Sequence, residues 1–225
     1  MSLSRVNKRG PKQVGLTEDP RPDEKSGSDR EVAILDAAAR AFMEMGFAAA
    51  SLDRVADFLD ATKGTIYYYY RTKSDLFAAV NRRAMELTAE AIGPFAHAQG
   101  DPRERLWQMS FAHTLLIIQR LPYLRVAAQG LELYLSGRMT IDEQKLLKEI
   151  AALRAGNEQL YVDVIREGIA TGAFRNVEPK LAAKPVLGAL NWTSRWYQPR
   201  PRETVRQREA IATELATFVC AGLAS

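Results

Sequence analysis

The run Thr62-Lys63-Gly64-Thr65-Ile66-Tyr67 holds residues suited to meeting an anion at the start of a helix. The first turn of a helix leaves backbone N–H groups unpaired and presents the positive end of the dipole, so a phosphate is a natural partner there. Lys63 and Thr65 stand where base edges in a major groove would be met, and Gly64 removes a side chain where backbone and DNA approach. Tyr67, Tyr68, Tyr69 and Tyr70 follow, offering hydroxyls to phosphates on one side and ring faces to a core on the other. Tyr67 and Tyr70 share a face, with Tyr70 the expected core residue; exposure to the DNA backbone is expected for Tyr68 and Tyr69. Lys73 adds a point charge for a flanking phosphate.

Such a run works only if a short helix precedes it across a tight turn. Ser51 serves as an N-cap for a helix that carries Leu52, Val55, Ala56 and Leu59 inward, and Asp60-Ala61 makes the turn. Thr62 caps the next helix, running to about Tyr70, which completes a helix-turn-helix pattern. Upstream, a helix from about Asp29 or Arg30 to Met45 puts Ile34, Leu35, Ala38, Ala41 and Phe42 on one face, and Gly46 gives it a left-handed stop. Downstream, Ser74 caps a fourth helix with Leu76, Phe77, Val80, Ala84 and Leu87 as its stripe, broken or bent at Gly93-Pro94.

Five longer helices are expected at about 102–119, 122–136, 140–171, 178–197 and 203–222, bounded by Asp101-Pro102, Leu121-Pro122, Ser136-Gly137, Thr171-Gly172 and Pro199/Pro201. Pro185 should bend the fourth of these near Leu181. No alternating β-branched run is long enough for a strand, so the fold class is all-α with about nine helices. Residues 1–29, with Pro11, Pro20, Pro22, Gly10, Gly15 and Gly27, read as an arm; 30–76 form the helix-turn-helix domain and 77–225 a helical domain. Arg5, Lys8, Arg9 and Lys12 of the arm suit either a minor groove or a solvated basic tail.

The chain of 225 residues is long enough for a real core, and its 47% hydrophobic and 26% charged residues exclude global disorder. One cysteine, Cys220, excludes an internal disulfide framework. Neither a membrane span nor a signal peptide is evident, and a cytoplasmic location is expected. The net charge of +4 is too small to name a partner by itself. An enzyme is disfavoured: His97, His113 and Cys220 lie on separate predicted helices, and no metal-ligand spacing, phosphate loop or nucleophile turn occurs. No metal or cofactor is expected.

Residues 34–80, "ILDAAARAFMEMGFAAASLDRVADFLDATKGTIYYYYRTKSDLFAAV", resemble the DNA-binding domain of the TetR family of tetracycline-repressor-like regulators. The match covers the first-helix pattern, Gly46-Phe47, the Ser51 cap, the KGTIY run and the lysine before the fourth helix. Asp60 stands where the family usually has glycine; aspartate tolerates the left-handed conformation better than most residues. The resemblance implies a repressor that binds a palindromic double-stranded DNA operator as a homodimer, through Ser51, Thr62, Lys63, Gly64, Thr65, Tyr67, Tyr68, Tyr69 and Lys73.

It also implies a small-molecule effector inside the C-terminal helices, with the fourth helix as the route from effector to DNA. Trp107, Phe111, His113, Gln119, Tyr123, Asn157 and Tyr161 are the pocket candidates; each could equally be core filler or a satisfied buried polar group. Trp192 and Trp196 sit four apart beside Gly188 and Ala189, and Ile211, Leu215 and Phe218 add an apolar stripe. Small residues and aromatics at this spacing suit an intersubunit bundle. The Asn191-Trp192…Trp196-Tyr197 pattern resembles members that sense acyl-CoA thioesters. Arg195, Arg200, Arg202, Arg206 and Arg208 suit coenzyme phosphates or a solvated face.

Overall fold

A computed structural model describes residues 22–136 and 140–224. The described residues form nine helices and no strand: α1 (Pro22–Ala49), α2 (Leu52–Leu59), α3 (Lys63–Tyr69), α4 (Lys73–Ala96), α5 (Pro102–Gln119), α6 (Leu121–Ser136), α7 (Ile141–Ala170), α8 (Pro179–Trp196) and α9 (Val205–Ala221). Arg5, Lys8, Arg9 and Lys12 lie outside the described residues.

The helix boundaries follow local chemistry. α1 begins at Pro22, several residues before the expected Asp29 or Arg30. Residues 22–28 carry no apolar stripe to announce a helix, yet proline fits a first turn, where its missing N–H would be unpaired anyway. Gly46 interrupts α1 at φ 75° and ψ 164°, a conformation open essentially to glycine, and one further turn follows. Asp60 ends α2 in the left-handed region, at φ 51° and ψ 45°.

Two expected caps differ. Thr62 occupies the N-cap position of α3, but its hydroxyl pairs with the Thr65 hydroxyl at 3.1 Å rather than with a backbone N–H. Thr72, not Ser74, caps α4. Its Oγ1 accepts from the Asp75 N–H at 3.0 Å, and Asp75 Oδ2 accepts from the Thr72 N–H at 3.2 Å. This reciprocal pair satisfies two first-turn donors at once, which Ser74, already inside the helix, cannot do. α4 also runs unbroken past Gly93-Pro94 to Ala96.

α5 is the central element, packed against α4, α6, α7, α8 and α9. One core joins α1, α2, α3 and the first half of α4 to α6. Phe42 and Phe77 meet edge to face at 5.1 Å, with Ile34, Val55, Ile66 and Val126 fully buried around them. A second core centres on Leu106, Met109, Tyr161, Ile165 and Leu190. α4 contributes Leu76, Phe77 and Val80 to the first core and Ile92 and Ala96 to the second, so a single rigid helix connects them.

Polar clasps hold the helix ends. Arg105 donates to Glu167 at 2.6 Å and to the carbonyl of Ala96 at 2.5 Å, joining α5, α7 and the end of α4. Arg125 of α6 donates to the carbonyls of Ser194 (2.9 Å) and Tyr197 (2.7 Å), satisfying the end of α8. No helix among the described residues is long and apolar enough to cross a membrane.

Candidate DNA interface and effector cavity

α2 and α3 meet at the Asp60 turn, and apolar burial decides how α3 sits. Ile66 (0% exposed) and Tyr70 (8%) face the core, and the Tyr70 hydroxyl donates to Glu31 Oε1 at 2.8 Å. The opposite face is open: Tyr68 is 84% exposed and Tyr67 50%, with Lys63 and Gly64 exposed at the start of the helix. Tyr67 does not share the face of Tyr70 as expected, because Tyr70 is the C-cap in extended backbone (φ −134°, ψ 117°) and has left helical spacing. Tyr69 departs from expectation. It is half-buried against the core, its ring edge-on to Tyr68 at 5.2 Å, because helical geometry swings it a further third of a turn inward. Ser51 caps α2, accepting from the Arg54 N–H at 3.2 Å.

The two lysines part company. Lys63 Nζ donates to Asp53 Oδ2 of α2 at 2.5 Å, and that hydrogen bond holds its pKa above the usual value. The pair is solvent-exposed, so its ammonium remains near the surface that α3 presents. Lys73, expected at a phosphate, is instead folded back. Its ammonium donates to the carbonyls of Phe47 (2.8 Å) and Ala48 (3.0 Å) and lies 4.6 Å from the Phe47 ring centre. Carbonyls at a helix end lack intrahelical partners, and a lysine that reaches them is a tie between α1 and α4. Arg54, paired with Asp57 at 3.4 Å, and Arg71 flank the motif and are exposed.

A cavity of about 380 Å³ lies between α4 (Met85, Thr88), α5 (His113, Ile117), α6 (Leu124, Ala127, Leu131), α7 (Arg154, Asn157, Glu158) and α8 (Lys184, Leu187, Asn191, Trp192, Arg195). That volume is in the range of small-molecule sites, ~300–1,000 Å³. Of the expected pocket residues, His113 and Asn157 line it. Tyr161 stands behind the wall, its hydroxyl 3.0 Å from His113 Nδ1. Burial pushes the His113 pKa down to about 4, so the imidazole is neutral, and pushes the Tyr161 phenol up. Asn157 Nδ2 donates to the carbonyl of Met85 at 2.9 Å, tying α7 to α4.

The other four candidates lie elsewhere. Trp107 and Phe111 stack at 5.3 Å on the side of α5 that faces α9, and Trp107 Nε1 donates to Thr217 Oγ1 at 3.3 Å. Tyr123 is buried in the first core, where Asp36 accepts its hydrogen bond. Gln119 is exposed at the end of α5. An apolar helix gives no sequence signal for which of its faces borders a void.

On the outer surface, Leu181, Trp192, Trp196 and Phe218 are 70%, 63%, 45% and 69% exposed. Leu181 and Phe218 border an apolar groove of about 630 Å³ between α8 and α9. Ile211 and Leu215, expected in the same patch, are half-buried against the chain's own cores. Trp192 belongs to both the exposed face and the cavity wall.

Residues 34–80 match the family description "Bacterial regulatory proteins, tetR family", and residues 99–223 match "Tetracyclin repressor-like, C-terminal domain". A transcriptional regulator of Bacillus subtilis (strain 168), YhgD, is 25% identical over 207 residues, 88% of this chain and 98% of that protein. The crystal structure of PfmR from Thermus thermophilus, a TetR family regulator, superposes with a TM-score of 0.72 at 26% identity, covering 85% of this chain and 99% of that one. AibR, solved with isovaleryl coenzyme A and operator DNA, shares the fold with a TM-score of 0.69 at 23% identity, covering 86% and 97%. With more than half of its length accounted for by the second family match, the chain belongs to the TetR family of transcriptional regulators.

Proposed function

We propose that the chain is a homodimeric repressor that releases its operator when a small, largely apolar acyl compound enters the cavity. The observation that carries this reading is the continuity of α4. One helix begins beside α3 at Lys73 and places Met85 and Thr88 in the cavity wall. A ligand that displaces this wall tilts the helix from which the recognition element hangs.

Lys63, Thr65, Tyr67 and Tyr68 are the groove-facing groups in this reading, with Ser51, Thr62 and Gly64 close to the phosphates. Tyr69 and Lys73 hold the element in place. Two copies of α3 must sit about one DNA turn apart, ~34–36 Å, to read a two-fold operator. The exposed Leu181, Trp192, Trp196 and Phe218 face supplies the contact between copies. For release, the ligand must bind the DNA-incompetent spacing better than the competent one, since equal affinity shifts nothing.

The acyl class rests on the mostly apolar lining and on AibR, solved with an acyl coenzyme A. The repressor reading rests on KstR2 of Mycolicibacterium smegmatis (strain ATCC 700084 / mc(2)155), a repressor 23% identical over 176 residues. The test is fluorescence anisotropy of DNA from upstream of the chain's own gene, titrated with free acids and their coenzyme A thioesters. Salt-dependent binding reversed by at least one acyl ligand is expected. Binding that no acyl ligand reverses would refute the effector class, and absence of salt-dependent binding would refute the DNA contact.

A further inference from the structure

Among the described residues, the cavity wall carries cations from two helices: Arg154 of α7, and Lys184 and Arg195 of α8. The two on α8 are matched by carboxylates. Lys184 Nζ donates to Glu158 at 2.6 and 2.7 Å, and Arg195 pairs with Glu132. Arg154 has no such carboxylate among the described residues. Its hydrogen bond is to a neutral group, the carbonyl of Ala127, 3.0 Å from Nη2. Burial holds its pKa below the usual guanidinium value, the mark of a cation short of solvation.

A guanidinium has five N–H donors arranged as a fork, and its preferred partner is a carboxylate or phosphate taken by two parallel bonds. Desolvating such a cation beside an empty space is unfavourable unless an anion completes it. The rest of the lining sets the remainder of the ligand. Met85, Ile117, Leu124, Leu131 and Leu187 are apolar, His113 is neutral, Asn157 and Asn191 add uncharged amides, and the Glu158 carboxylate is taken up by Lys184.

We propose that Arg154 anchors an anionic effector: an amphipathic carboxylic acid whose head occupies the guanidinium fork and whose chain fills the apolar part of the cavity. This rests on the cavity being the effector site. It selects the free acid over its coenzyme A thioester, because thioester formation neutralises the acyl head and leaves the charges on the distant nucleotide. The fork also offers a consequence for release. A carboxylate that draws Arg154 from the Ala127 carbonyl removes a polar tie between α7 and α6, and α6 touches the DNA-binding end where Gln129 Nε2 donates to the Phe42 carbonyl of α1 at 3.4 Å.

The experiment is calorimetric titration of the full chain with octanoate, octanamide and octanoyl coenzyme A, repeated on Arg154→Gln and Arg154→Lys. Octanoate should bind roughly tenfold to a hundredfold more tightly than octanamide, the difference expected of a charge-assisted hydrogen-bonded pair. Arg154→Gln should remove that difference by weakening octanoate alone, and Arg154→Lys should restore part of it. Equal affinity for acid and amide overturns the proposal, as does octanoate binding that is indifferent to Arg154→Gln. Binding of the thioester alone, or of none of the probes, overturns it too. Operator affinity of the ligand-free Arg154→Gln chain is read in parallel. A variant that binds DNA and still responds to octanoate as the parent does overturns the anchor while leaving the regulator standing.

Discussion

Replacing Gly130 with alanine tests how closely α6 is seated on α4. A Cβ at that position would lie 2.2 Å from Asn81 Oδ1, 2.9 Å from its Cγ and 3.2 Å from its Nδ2. Asn81 has little room to yield: it is 0% exposed, and its Nδ2 donates to the Phe77 carbonyl at 2.8 Å. Alanine in a helix interior gains about 1 kcal/mol over glycine, whereas overpacking a filled site costs about 1–3 kcal/mol. Contacts this short against a confined amide place the cost near the top of that range, for a net loss of about 1–2 kcal/mol. Asn81→Ala removes the obstruction together with a buried Oδ1 that lacks a partner. The double variant should therefore recover most of the loss, with a coupling of at least about 1 kcal/mol. Urea unfolding at fixed protomer concentration measures this, because apparent stability of a dimer varies with concentration. A Gly130→Ala chain as stable as its parent, or additivity in the double variant, would refute the close α4–α6 contact.

Lys73→Met should lower the thermal stability of the DNA-free chain by about 1–2 kcal/mol, through loss of the charged hydrogen bonds to the Phe47 and Ala48 carbonyls. It should leave the salt slope of operator binding unchanged; a slope reduced by about one would instead make Lys73 a phosphate contact. Trp192→Ala with Phe218→Ala should give monomers that do not bind operator, and a dimer by light scattering at micromolar concentration would contradict the assigned face. His113, with a folded pKa of about 4 against 6.5, binds no proton in the folded chain where the unfolded chain does. Its contribution is present above pH 6.5 and is lost as pH falls toward 4, roughly 2 kcal/mol by about pH 5. The stability difference between the parent and His113→Asn should shrink over that interval, and a constant difference would show the imidazole to be solvated.

The helices were legible because their signals are local. Apolar spacing, with proline and glycine at the ends, located α5 over 102–119 and placed α6, α7, α8 and α9 within two residues of their observed ends. Ser51 as the cap of α2 and Asp60 as its left-handed stop were likewise set by neighbours within a turn or two. Where two local signals competed, the reading slipped: Thr72 and Ser74 both suit a cap, and only the reciprocal bond with Asp75 separates them.

What one residue meets across the fold was not legible. Lys73 is a phosphate-binding lysine by position and a clasp for α1 by structure, because the turn at Gly46 brings the Phe47 and Ala48 carbonyls to its ammonium. The cavity draws its wall from five helices, and aromatic residues that resembled pocket lining, Trp107, Phe111 and Tyr123, fill contacts elsewhere. Arg154 gave no sign in a helix with many charges; among the described residues, Lys184 and Arg195 each hold a carboxylate and Arg154 holds a carbonyl instead. Helix formation and capping are decided by bonds a few residues long, so the sequence alone determined the elements and the family. Which face of an apolar helix borders empty space, and which cation finds an acid, depends on groups tens of residues apart, and only the tertiary structure decided those.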